Sequence, residues 1–112
     1  MVAKRLVPQL VTINSIGDIL NDALKTAQVE DVEGALNKLK NALSLLVGLR
    51  VDSFQEMAER LPQVLGSSDN VLDISATLFS LNSLYQEKAL TSQYLICVIN
   101  FISLRIGSLL LK

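Results

Sequence analysis

Tyr94-Leu95-Ile96-Cys97-Val98-Ile99-Asn100-Phe101-Ile102-Ser103-Leu104-Arg105-Ile106-Gly107-Ser108-Leu109-Leu110-Leu111 is nearly as apolar as a membrane span. It carries a single charge, Arg105. A helix that is apolar most of the way round must be covered on most of its circumference. A chain of 112 residues has few other helices with which to cover it. The simplest resolution is that another copy, or another protein, covers the remainder; the expectation is a central helix completed by a homodimer partner. Ile96, Ile99, Ile102, Ile106 and Leu110 are then the candidate interface residues, with Phe79 and Tyr85 as aromatic contributors.

Whether the same stretch anchors the chain in a bilayer is decided by its interruptions. A span needs about 20 predominantly apolar residues. Asn100 and Arg105 break the run before that length. Arginine at a bilayer centre costs at least ~2.5 kcal/mol. The expectation is a core helix, with no membrane partner. Arg105 must then reach water along its own stem or meet an acid; Asp18, Asp22 and Asp73 are candidates by type.

Working outward, the rest of the chain reads as helix, with no strand signal. Leu6, Leu10, Ile13, Ile16 or Gly17, Leu20 and Leu24 recur at steps of three and four. That spacing is one helix face. Pro8 suits a first turn, so regular helix is expected from near Pro8 to about Ala27. A second stripe runs through Val32, Ala35, Leu36, Leu39, Ala42, Leu43 and Leu46, behind the acids Glu30, Asp31 and Glu33 that suit a helix start. The short link makes the two helices antiparallel neighbours. Ser53-Phe54-Gln55-Glu56 has capping-box form and opens a third helix through Met57, Ala58, Leu61 and Leu65. Pro62 shortens or breaks its last turn, and Gly66 stops it. Gly66-Ser67-Ser68-Asp69-Asn70 is a turn, and Val71, Ile74, Leu78, Leu81 and Tyr85 form a fourth stripe. Thr91 or Ser92 caps the fifth helix. Whether helices two and three are separate, or one helix kinked near Gly48 to Asp52, stays open. The expected architecture is an all-α, largely up-and-down bundle of four to five short helices in one domain spanning residues 1–112.

Composition narrows the function. Half the residues are apolar and 19% are charged, with a formal net charge of −1. A mean hydropathy of +0.41 exceeds what one small core comfortably hides, which favours assembly. No basic arm or stripe suggests nucleic acid. Histidine is absent, which removes the commonest general base and transition-metal ligand. Cys97 is the lone cysteine and fits a small buried hydrophobe. One cysteine closes no internal disulfide, and the N-terminus lacks a signal-peptide h-region, so a cytoplasmic location is expected. No cofactor motif is present: no Gly-rich phosphate loop, GxSxG, CxxC or zinc spacing.

Two enzyme-like or reader-like patterns compete with an assembly role. Glu30 and Glu33 form one ExxE, and Glu56 and Glu59 a second. Carboxylates three apart share a helix face, and two such faces could hold Mg²⁺. The paired dyads resemble the ExxE…ExxD arrangement of the all-α nucleoside triphosphate pyrophosphohydrolases of the MazG type, with Glu59 where that family has Asp. The resemblance covers the dyads and the turn between them. It implies Mg²⁺-dependent cleavage between the α and β phosphates. The bland alternative is dipole-favoured acids at helix starts. Separately, Ala58 to Leu81 could be read as a helix-turn-helix DNA reader, but Asn70 to Glu87 has no Arg or Lys and carries Asp73. The expected function is therefore non-catalytic: a small homo-oligomeric protein–protein assembly subunit.

Overall fold

The computed structural model describes the backbone of residues 2–110 and the side chains of residues 14–109. Among these residues the chain is all-helical: α1 (Val2–Gln28), α2 (Val32–Val47), α3 (Phe54–Leu65), α4 (Asp69–Gln86) and α5 (Ser92–Leu110). Helices two and three are separate. Regular helix begins at Val2 rather than near Pro8. A proline keeps a helix-compatible φ and removes one backbone hydrogen bond, so it does not compel a start.

The helix ends follow local chemistry. Asp31 caps α2, its Oδ1 accepting from the Gly34 N–H at 3.0 Å. A Cβ at Gly34 would run into the Asp31 carboxylate, so this tight cap suits glycine. Gly48 ends α2 with φ 72°, in the left-handed region that glycine enters without penalty. Ser53 Oγ accepts from the Glu56 N–H at 3.1 Å, and Thr91 Oγ1 from the Tyr94 N–H at 3.2 Å. Two helices end without glycine. Glu30 (φ 66°) and Lys88 (φ 58°) take the left-handed position after α1 and α4. Each is held by a six-residue closure: the Asp31 N–H reaches the Thr26 carbonyl, and the Ala89 N–H the Leu84 carbonyl.

Pro62 lies inside α3 without breaking it. Its missing N–H leaves the Ala58 carbonyl without a helical partner. Ser75 of α4, the one buried polar side chain among the described residues, donates to that carbonyl at 2.8 Å. One hydroxyl therefore repairs α3 and ties it to α4. Ser75→Ala is expected to destabilise the chain by about 1–3 kcal/mol, the cost of a stranded buried acceptor. Pro62→Ala should recover most of that loss, and a double-mutant cycle by urea unfolding measures the coupling. Additive losses would contradict the repair.

The helices pack as two hairpins joined by α5. Lys38 of α2 reaches back to α1, pairing with Asp22 (3.0 Å) and donating to Thr26 (2.8 Å). α3 and α4 form the second hairpin, and α5 packs on both α1 and α4. The connector 48–53 departs from a simple up-and-down course. Lys40 Nζ donates to the Asp52 carbonyl at 3.0 Å and stands 5.8 Å from the Phe54 ring centroid. So α3 starts beside the middle of α2, not at its end. Eight residues of helix span about 12 Å, which a six-residue connector easily retraces. Val51 is buried on the way and pins it to the core. Tyr85, near the end of α4, donates to Glu33 at the start of α2 at 2.9 Å, closing that end of the bundle.

Leu39, Leu43, Met57, Leu61, Ile74, Leu78, Leu81, Leu95, Ile99 and Ile102 are fully buried and form one core. α5 contributes to this core but is not central. Only 28% of Ser92–Leu109 is buried within the chain. α5 leans on α1 and α4 and leaves its other side open.

Candidate interaction face

α5 carries two apolar stripes, not one. Leu95, Val98, Ile99, Ile102 and Ile106 face the core. On the opposite side lie Tyr94, Cys97, Phe101, Leu104 and Ser108, spaced 3-4-3-4. That is the spacing of a coiled-coil seam. Leu104 is 72% exposed, Tyr94 and Cys97 are exposed, and Phe101 is half-buried. On the neighbouring α4, Val71, Ile74, Ser75, Leu78 and Leu81 face inward, while Leu72, Ala76, Phe79 and Ser83 face solvent at steps of four, three and four.

The electrostatics of this side set it apart. From Asn70 to Gln86 the only charged residue is Asp73; from Ala89 to Leu111 it is Arg105. Arg105 Nη2 lies 3.4 Å from Asp73 Oδ2, and Nη1 donates to Asn70 Oδ1 at 3.3 Å. The guanidinium also sits 4.9 Å from the Phe101 ring centroid. The two lone charges of these stretches thus neutralise each other along the α4–α5 seam. Both side chains are partly exposed, so the pair is worth about 1 kcal/mol or less. Its larger consequence is that the middle of this side, Leu72 to Ser83 on α4 and Tyr94 to Ser108 on α5, carries no uncompensated charge, while exposed Asp69 at the start of α4 lies at its rim. Exposed charges such as Asp18, Glu56, Glu59 and Arg60 lie on α1 and α3.

The placement of the expected interface residues changes accordingly. Ile99 and Ile102 are fully buried and Ile106 is 3% exposed, all within one chain. They need no partner for cover, because α1 and α4 supply it. Ile96 is half-buried against the same core. Leu110 lies outside the described side chains. Phe79 and Tyr85 are exposed at 43% and 39%. Cys97, expected to be buried, is exposed. α5 is apolar nearly all round, so its sequence does not reveal which stripe faces inward. The signal that finds the open face is the charge gap across residues 70–86 and 89–111.

The acidic dyads do not assemble. Glu30 sits in the left-handed turn before the α2 cap, so Glu30 and Glu33 share no helix face. Glu33 instead accepts from Tyr85, which holds the Tyr85 hydroxyl above the usual tyrosine range through that hydrogen bond and the nearby negative charge. No group of three or more His, Cys, Asp or Glu side chains that could hold a metal ion occurs among the described residues. The α3–α4 pair is a helix–turn–helix in chain order, and the Ser75–Ala58 contact packs it as a hairpin. The outward side of α4 carries no cation for a base edge.

Two surface hollows flank the Tyr85–Glu33 contact. One is lined by Val32, Glu33, Tyr85, Gln86, Lys88 and Leu90; the other includes Lys40, Asp52 and Phe54. Both are open to solvent. Comparison with known proteins returns no match to a family model, a curated protein or a solved structure.

Proposed function

We propose that this chain is a non-catalytic protein–protein assembly subunit that binds through the α4–α5 face. The observation that carries the reading is the pairing of Arg105 with Asp73. It leaves the middle of two adjacent helices presenting Leu72, Phe79, Tyr94, Cys97, Phe101 and Leu104 with no uncompensated charge between them, and with exposed Asp69 at the rim. Charged residues are depleted from the cores of protein interfaces, and aromatic residues are enriched there. Contiguous apolar surface on a small protein marks an interaction site. On this reading the chain works in water, in a reducing compartment, and takes no cofactor.

A bilayer is the competing occupant. By length and composition α5 is the one helix among the described residues that could cross a membrane. Yet its inner stripe fills the core, and insertion would bare the sides of α1 and α4 that it covers. Gln93, Asn100 and Ser108 also interrupt the outer face. The assembly reading accounts for both stripes at once.

A photo-crosslinking residue at position 104, compared with one at Asp18 on the charged side, tests the reading in native extract. Discrete protein adducts should form at position 104 and not at 18. Lipid adducts at 104, or equal labelling at both positions, would sink it.

A further inference from the structure

We propose that the occupant of the α4–α5 face is the same face of a second copy, related by a two-fold axis near Phe101, with the two α5 helices antiparallel. This rests on the assembly reading above and specifies its partner. Charge comes first. A face whose middle has no free charge, with Asp69 only at its rim, is matched by another such face, since a charged partner would lose hydration and gain no counter-charge. The chain itself presents one. Spacing comes second. The 3-4-3-4 stripe of α5 is the seam that a helix with the same repeat fills by knobs-into-holes packing.

The shape of the stripe sets its direction. Tyr94 is bulky, while Gly107 and Ser108 at the other end are small. A parallel pair would oppose Tyr94 to Tyr94 and leave a gap at the small end. An antiparallel pair seats each Tyr94 over Gly107 and Ser108 of the copy, which fills space evenly. Area is consistent with both helices taking part. α5 alone is about 27 Å long and 10 Å wide, a footprint of roughly 270 Å². A standard interface covers about 800 Å² of accessible surface per partner. Adding α4 at the usual interaxial spacing widens the footprint to about 500 Å² before side-chain relief is counted. A two-helix face against its copy therefore approaches the required size, whereas α5 alone falls well short.

The test uses the purified, untagged full chain. Light scattering at tens of micromolar should give twice the chain mass. The native thiol then reports the geometry. With the axis at Phe101, the two Cys97 residues are offset by eight residues, about 12 Å along the helices. A disulfide needs Cα atoms within about 7 Å. Mild oxidation should therefore leave Cys97 unlinked. In a Cys97→Ser background, Tyr94→Cys combined with Ser108→Cys should cross-link the dimer, while either substitution alone should not. A monomeric mass throughout, or ready Cys97–Cys97 linkage in the wild type, overturns the proposal, and neither result depends on a variant folding. If the pure chain is monomeric yet position 104 still crosslinks to another protein in extract, the second copy is excluded and the assembly reading survives. If no protein adduct forms at 104, both fail.

Discussion

Ile99→Asp is expected to leave the chain unfolded. Ile99 is fully buried in the shared core, on the inner stripe of α5. Truncating such a side chain costs about 2–5 kcal/mol from lost burial and the cavity left behind. Among the described residues no charged side chain lies in this core, and Arg105, the nearest cation in sequence, is tied to Asp73 at the surface. An uncompensated buried charge adds several kcal/mol. Together these approach or exceed the 5–15 kcal/mol total stability of a typical domain. Far-UV circular dichroism should show loss of helix at neutral pH. A cooperative melt within a few degrees of the wild type would mean that α5 does not pack as described.

Leu104→Glu, five residues further along the same helix, is expected to do the opposite. Leu104 is 72% exposed, so the substitution takes little from the folded chain. Surface changes of this kind usually fall within about 0.5 kcal/mol. Placed in the middle of a charge-free interface, the same carboxylate would be desolvated opposite apolar groups. That should cost 2–5 kcal/mol of association, or about 30- to 5,000-fold in dissociation constant. The predicted signature is native helix content, monomer-like stability and loss of association. A Leu104→Glu protein that assembles like the wild type would show that the outer stripe of α5 is solvent surface.

These two substitutions separate faces that the sequence alone merges. Stripes in α2 and α3 are legible because charged residues break them: Lys38 and Lys40 flank one, and Glu56, Glu59 and Arg60 flank the other. Ser53, Gly66 and Thr91 mark helix ends by well-understood capping chemistry, and the structure places them there. In α5 almost no polar residue sets the phase, so Ile99 and Ile102 look as free for an interface as Leu104 does. Only their contacts with α1 and α4 distinguish them. The ends at Glu30 and Lys88 are hidden for another reason. Neither residue favours the left-handed conformation, and the chain adopts it through closures reaching back to Thr26 and Leu84. The connector 48–53 is equally silent. Its return along α2 depends on Lys40 finding the Asp52 carbonyl and on Val51 entering the core. The repair of Pro62 by Ser75 needs two residues thirteen apart in sequence to meet across a hairpin, which periodicity cannot show. The charge gap across α4 and α5, by contrast, is plain in the sequence, and the structure supplies its meaning by pairing Asp73 with Arg105.

The most direct test of the claim that the α4–α5 face seats a second copy of the chain is the solution mass of the untagged chain, measured by light scattering across a dilution series. Three proteins suffice: wild type, Leu104→Glu, and Asp18→Lys as a control on the charged side. The account predicts association for wild type and Asp18→Lys, reversed on dilution, and a monomer for Leu104→Glu. A wild type that is monomeric at every concentration, or three proteins that associate equally, would contradict it.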